Sequence, residues 1–458
     1  MPRTRTKLWL STPRGRRPLL PGSPLNRLAL VMLTVGMAAA LWLTFEATKL
    51  RLQHPENLWF YFAEHKGASY YIAHGLHLAF LFPAGFLAWL AFRRRAGQPD
   101  PTLRLLLFFV AAGIMTYRGY SLGDFFSTKL VGPTGPVPCL MSALILIGAE
   151  RDNWVFLRRL IATLAAVLSA TVLLVSFSTA FYYRNYAVAA LGLYLNALFF
   201  PAAWLLLDHS PISRAPRVLR WVPLVIYAFG TVLVQTRLNV VMILALLTGY
   251  FYLQRGQRRG PLVFSGLVAA SVVVALLPTL VPNSVVGQSL SRSAALFQAR
   301  ATEDTRTEQL VDFFKDLTPA DLVLGRGAQA TWRWGPFQWA GGTDVGYLSL
   351  LLFGGLPLLF TYCSAHIAGA LQCARDPGAP THAACAIIVL LWALRMFSSS
   401  YPSFTIDYYV VLFCVGGCCA WPRTRHRGGH ARVMVRSHRT VLLPAKVAWL
   451  AGNTSGSN

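Results

Sequence analysis

The side chains best placed to do chemistry in this 458-residue chain are a few arginines and one aspartate beside long apolar runs. Arg237 sits in Gln235-Thr236-Arg237-Leu238-Asn239, where one apolar run ends and the next begins. An arginine at membrane depth is costly and is usually kept for a partner or a passage, although at a boundary it can also snorkel to the headgroups. Both readings are open, and Gln235 and Asn239 would add donors to anything Arg237 holds. Arg306 opens Arg306-Thr-Glu-Gln-Leu-Val-Asp-Phe-Phe (306–314), whose spacing predicts a short helix. Taken alone it would be a surface partner for Glu303 or Asp304, worth little. Taken with Arg237 it offers a second guanidinium fork, the geometry that suits the oxygens of a diphosphate. Asp344 follows Gly341-Gly342-Thr343 and precedes Gly346 at the mouth of an apolar run. It could accept a proton from a hydroxyl, or it or Thr343 could cap the helix that follows.

Weaker candidates surround these. Arg395, followed by Ser398, Ser399 and Ser400, lies near the end of another apolar run and either lines the same cavity or snorkels. Arg326 belongs to the same polar loop as Arg306 and is a further candidate for diphosphate or glycan contact. Asp124, with Arg118 and Tyr120, could touch a sugar. His74 and His77 are three apart on one predicted helix but lack further ligands, so they read as core or interface histidines and no metal is expected. The seven cysteines lie mostly within apolar runs with no paired motif, and read as small core filler.

Positioning these groups falls to membrane helices. With 55% hydrophobic and 13% charged residues, the chain reads as an all-α polytopic membrane protein. Candidate spans fall near 27–45, 71–92, 104–120, 136–150, 160–182, 187–207, 219–236, 238–254, 261–281, 344–365, 383–399 and 404–421, about twelve helices in all. The net charge of +25 is spread through short loops and both tails, as orientation signals are, so no nucleic-acid partner is expected. Placing the basic loops inside puts residues 1–26 and 422–458 in the cytoplasm as basic tails, the second resting on anionic inner-leaflet lipid. Residues 27–281 then form an N-terminal bundle of about nine helices, 282–343 a large outer loop, and 344–421 the C-terminal helices.

That outer loop is the only long polar segment between spans, and it carries equal numbers of acidic and basic residues. Its length calls for structure of its own or a job. Leu290, Ala294 and Phe297, then Leu310, Phe313, Phe314 and Leu317, recur at helical spacing and predict two short amphipathic helices. Residues 319–328 read as a helix stop, an extended run and a glycine turn. The first outer loop, Glu46–Tyr70, is rich in aromatics and reads as a helix lying on the membrane. None of the seventeen acids falls in the middle of a predicted span, which argues against a proton-coupled transporter.

Four stretches together resemble the O-antigen polymerase and ligase superfamily. They are Thr236-Arg237 opening a span, Arg306 heading an outer helix, Leu322-Val-Leu-Gly-Arg-Gly, and Asp344-Val-Gly-Tyr-Leu-Ser-Leu-Leu-Leu-Phe-Gly-Gly-Leu (344–356). The ligase branch commonly has a His-Asn pair where this chain has Asp344-Val345, which favours a repeat-unit polymerase. The resemblance implies a bacterial inner-membrane glycosyltransferase working at the outer face. Its donor and acceptor would be glycans on undecaprenyl diphosphate, with a chain-length regulator as a possible partner and no cofactor. Arg237 and Arg306 would bear the diphosphate charge, and Asp344 would act as base or orient the acceptor. A ligase acting on lipid or protein, and a lipid-linked oligosaccharide flippase, are the alternatives.

Overall fold

The computed structural model describes residues 23–53, 67–92, 102–119, 139–182, 187–208, 217–234, 237–253, 305–328, 330–334, 337–340, 343, 345–375, 380–397 and 405–420. Every predicted span except 261–281, which lies outside the described residues, has helix over most of its length. In chain order the elements are α1 (Pro24–Gln53), α2 (Ala68–Phe92), α3 (Thr102–Gly119), α4 (Ile145–Ala149), α5 (Trp154–Tyr182), α6 (Ala187–Leu207), α7 (Val222–Val234) and α8 (Arg237–Leu253). There follow α9 (Thr305–Asp316), α10 (Pro319–Leu324), a hairpin of β1 (Trp332–Trp334) and β2 (Phe337–Ala340), α11 (Gly346–His366), α12 (Ala368–Arg375), α13 (Pro380–Arg395) and α14 (Ile406–Ala420). The apolar helices mark a membrane-embedded protein. Among the described residues, Pro24–Lys49, Ala68–Ala91, Arg151–Ser176 and Gly346–Ala374 are long and apolar enough to cross a bilayer unaided. Stretches such as Leu191–Leu207 and Thr381–Arg395 are apolar but shorter.

Several expectations change at this level. Helix α1 runs on to Gln53, so Glu46 belongs to it rather than to an outer loop. The aromatics Trp59–Phe62, and the helix predicted around Leu290–Phe297, lie outside the described residues. The predicted span 136–150 is no single helix. A 3-10 turn, Met141–Leu144, leads into the five residues of α4. At 1.5 Å per residue, Cys139–Ala149 covers only about 16 Å, roughly half a bilayer core. It survives because it is buried against α14, where backbones nearly touch: a Cβ on Gly148 would fall 2.1 Å from the Phe413 carbonyl, and one on Gly416 2.0 Å from that of Ile145. Small residues at such a crossing let van der Waals contact replace the missing length.

The outer loop also departs from its predicted form. Pro319 does not stop a helix; it starts α10. The Thr318 hydroxyl accepts from the Asp321 amide while the Asp321 carboxylate accepts from the Thr318 amide, a reciprocal capping box with proline in the first turn. Helix α9 forms as its periodicity predicts. Phe313 is fully buried against Trp332 of β1, with ring centroids 5.3 Å apart, and Leu317 is buried beside it, while Phe314 stays half exposed. The antiparallel pair β1–β2, with Trp332 opposite Ala340, completes the polar layer among the described residues.

This layer is joined to the bundle through a break in α11. Gly355 has φ +65° and ψ −163°, and Pro357 follows two residues later. Proline has no N–H for the Phe353 carbonyl, and the kink removes the donor that Leu352 would otherwise use. The glycine turn of the outer loop supplies both: the Arg326 amide donates to the Leu352 carbonyl at 2.7 Å, and the Gly327 amide to that of Phe353 at 2.8 Å. Contact is too close for side chains. A Cβ on Gly325 would lie 2.5 Å from the Phe353 carbonyl oxygen, and one on Gly355 would lie 2.4 Å from that of Val323. Both glycines occupy a positive-φ extended conformation open essentially to glycine alone. Sequence, backbone strain and docking are therefore one arrangement.

Candidate functional site

The polar layer formed by α9, α10 and β1 is locked by Arg326. Its Nη1 lies 2.6 Å from Asp316 Oδ2 and 2.9 Å from the Thr331 carbonyl, and its Nε lies 3.1 Å from Asp321 Oδ2. Its Nη2 donates to the Asp316 carbonyl at 2.5 Å. Burial alone would raise the Asp321 carboxyl, but hydrogen bonds from the Thr318 amide and hydroxyl and from Arg326 outweigh it and hold that group below its usual range. Burial likewise works against the Arg326 charge, and the two aspartates reverse the effect and raise its pKa. A guanidinium so fully engaged serves as a clasp between α9, α10 and β1, and phosphate would have to displace two carboxylates to reach it. Arg118, at the end of α3, ties the same turn to the bundle through the carbonyls of Leu324 and Gly325, the latter at 2.8 Å. The Ala328 amide adds a bond to the Met115 carbonyl at 3.2 Å.

The other end of the polar layer enters α11 through Thr343. Its hydroxyl accepts from the Val345 amide at 3.2 Å, and its own amide donates to Ser349 Oγ at 3.1 Å. The Gly346 amide donates to the Met396 carbonyl at 2.8 Å and Tyr347 Oη to that of Ala393 at 2.9 Å, which ties the mouth of α11 to the end of α13. Asp344 itself lies outside the described residues, as does Asp124. Arg237 is the first residue of α8 and Arg306 the second of α9. Their side chains lie outside the described part of the structure. Asn239, one turn into α8, is buried.

Arg395 does not snorkel. Its Nη1 lies 2.6 Å from Asp407 Oδ2, with side chains 9% and 2% exposed, and its guanidinium sits 5.7 Å from the ring centres of both Phe200 and Trp392. The pair is buried where the end of α13 meets the first turn of α14. Asp407 Oδ1 is buried without a hydrogen bond. A second buried carboxylate, Asp208 at the end of α6, meets Arg158 Nε at 3.4 Å and accepts from Thr381 Oγ1 at 3.2 Å. These interior acids were invisible as such in the sequence, because each stands at the edge of an apolar run. The available signal was opposite charge on neighbouring spans: Arg395 and Asp407 flank one short loop.

Three further polar clusters form where helices meet. The Nδ1 of His366 faces the Tyr362 carbonyl at 3.0 Å and must donate there, so its Nε2 is an acceptor and Ser142 Oγ, at 3.0 Å, donates to it. Tyr362 in turn accepts from Trp392 Nε1 at 2.8 Å. His77 is fully buried with Nε2 2.5 Å from Tyr409 Oη, as a core histidine should be. Cys373 Sγ lies 2.7 Å from His382 Nε2, so this cysteine has a histidine neighbour that the sequence spacing did not reveal. Among the described residues no three side chains converge as metal ligands.

The arrangement brings Arg118 and Arg326 together at the Leu324–Gly327 turn and pairs Arg395 separately with Asp407. Comparison with protein-family models, with curated proteins and with solved structures finds no match to this chain.

Proposed function

We propose that this protein is a bacterial inner-membrane glycosyltransferase that joins undecaprenyl-diphosphate-linked oligosaccharide units into a surface polysaccharide at the outer face of the membrane. One observation carries the reading. Two of the motifs on which the resemblance rests, Leu322–Gly327 and 344–356, interlock at the break in α11 through the Arg326 and Gly327 amides, which donate to Leu352 and Phe353. Irregular backbone at the edge of a membrane bundle is tolerated where it is packed in protein or lines a cavity, and broken helices are common substrate sites. In this scheme the diphosphate is the leaving group, and the protein's task is to hold donor and acceptor in line and to stabilise the charge that develops. Arg237 and Arg306 are the residues suited to that charge, and Asp344 is the base or acceptor-orienting group. Arg326, Arg118 and Thr343 position the polar layer around them. No cofactor is needed. Both termini lie in the cytoplasm, and a chain-length regulator is a natural partner.

A second reading, a lipid-linked oligosaccharide transporter, gains support from the buried Arg395–Asp407 pair, since ionisable groups inside a membrane often mark a translocation path. A deletion strain separates the two. Under the polymerase reading, deletion collapses the surface-glycan ladder to a single repeat unit, and lipid-linked units accumulate facing outward. Wild-type chain restores the ladder, whereas Arg306→Ala at normal membrane level does not. Units trapped facing inward would select the transporter. An unchanged ladder in the deletion strain would reject the polymerase for that glycan.

A further inference from the structure

Helix α10 belongs to the polar layer, yet it presents apolar side chains at its surface: Val323 is 51% and Leu324 55% exposed. Asp321 of the same helix is held in the clasp with Arg326. What covers the apolar edge is decided by where α10 sits on the bundle, and α3 serves as the ruler. Its exposed residues Leu103, Leu107, Val110, Ile114 and Tyr117 recur at spacings of three and four, an apolar face along the whole helix. From Leu103 to Tyr117 that face runs about 21 Å, roughly two-thirds of a bilayer core. An exposed apolar face of such length on a membrane-embedded protein meets lipid chains. It ends in Tyr117-Arg118, residue types that settle at the headgroup boundary.

Helix α10 is pinned at that level. Arg118 Nη1 donates to the carbonyls of Leu324 and Gly325, and the Ala328 amide donates to the Met115 carbonyl one turn back along α3. On its other side α10 meets the break in α11, where the Val323 carbonyl oxygen lies 2.4 Å from the place of a Cβ on Gly355. Just past the break, Leu356 and Phe360 stand one turn apart on α11 and are 53% and 75% exposed. Helices α3 and α11 pack side by side, so Val323 and Leu324 lie where the exposed face of one ends and that of the other begins. The apolar edge of α10 thus continues a surface that faces lipid on both sides of it.

We infer that α10 is inserted into one leaflet, with Val323 and Leu324 among the lipid chains at the level of Tyr117, so that the polar layer is held by the bilayer surface as well as by the bundle. The chemistry of recognition is apolar insertion at the headgroup boundary, and it is indifferent to headgroup charge. The turn that mends α11 is thereby set at headgroup depth. This placement does not depend on the glycosyltransferase reading.

The test places the full-length wild-type chain in phosphatidylcholine nanodiscs whose lipid carries a photoactivated diazirine either close to the glycerol or at the chain end. After irradiation, peptide mass spectrometry should find shallow-probe adducts on Val323 or Leu324 and on Tyr117, and chain-end adducts on Leu107 but not on α10. No adduct in 319–326 while Tyr117 is labelled would overturn the inference, as would labelling of α10 by the chain-end probe alone. Labelling of α10 at one copy per disc that disappears at two would instead assign the edge to a second copy of the chain. The double variant Val323→Ser, Leu324→Ser gives an independent readout. Its Arg326 and Gly327 amides should exchange about ten-fold faster in the same discs, the effect of withdrawing two half-inserted side chains from lipid. Ala320→Ser, at an exposed position of the same helix, should stay within about two-fold of wild type. Wild-type exchange in the double variant would also overturn the inference.

Discussion

Gly355→Ala is the sharpest test of how the polar layer is held. At φ +65° and ψ −163° an alanine is strained by about 1–3 kcal/mol. Its Cβ would also fall 2.4 Å from the Val323 carbonyl oxygen, backbone that has no other rotamer to adopt. The turn must then withdraw, and with it go the bonds from the Arg326 and Gly327 amides to Leu352 and Phe353. At about 1 kcal/mol net for each bond, the docked state loses about 3–5 kcal/mol in all. That is roughly a thousand-fold shift in the docked-to-undocked ratio at 4 kcal/mol. Hydrogen exchange of the Arg326 and Gly327 amides in the reconstituted protein reads the shift directly, as faster exchange by about that factor while the bundle helices keep their protection. Gly113→Ala is the control, since a Cβ there meets nothing within 4 Å and helix propensity predicts a small stabilisation. Unchanged exchange at residues 326 and 327 in folded Gly355→Ala would refute the claim that the turn mends the broken helix.

Three other outcomes follow from the same geometry. Arg395→Met or Asp407→Leu alone should destabilise by about 3–5 kcal/mol, because each strands a buried charge, whereas the double variant should recover most of that loss; thermal unfolding in mild detergent gives the cycle, and simple additivity would contradict a coupled pair. The Asp321 pKa is held below its ordinary value of 3.8, so its contribution to docking is present at neutral pH and is lost as pH falls through the depressed value. Exchange of the Arg326 amide, corrected for its intrinsic rate, should therefore quicken on the acid side, and Asp321→Asn should flatten that limb. Gly416→Ala places a Cβ 2.0 Å from the Ile145 carbonyl oxygen and should cost about 1–3 kcal/mol through overpacking, and a melting temperature equal to wild type would show that α14 and α4 are not in contact there.

Much of the architecture was written in local pattern. The long apolar runs gave the helices, and the spacing of Leu310, Phe313 and Leu317 gave α9, because one turn of periodicity is enough to define a buried face. Pro319 was misread as a helix stop, although Thr318, Pro319 and Asp321 already spell a capped helix start. Trp332-Arg-Trp-Gly-Pro-Phe-Gln-Trp carries a hairpin signal in its alternation about Gly335-Pro336. Arg395–Asp407, Arg158–Asp208 and Cys373–His382 could not be read from spacing, since each pairing depends on which helices become neighbours. The same holds for the use of Gly325 and Gly355. The sequence displays two glycine turns, and only the fold reveals that each occupies the space the other leaves free.

The central claim is the transfer reaction at the outer face. Its most direct test is to reconstitute the purified protein in vesicles with undecaprenyl-diphosphate-linked repeat units and follow glycan length together with release of free undecaprenyl diphosphate. The account predicts a growing ladder with one diphosphate lipid released per added unit, no requirement for a nucleotide sugar, and loss of both products in Arg237→Ala and Arg306→Ala. Movement of the lipid-linked unit across the bilayer with no change in glycan length would contradict it.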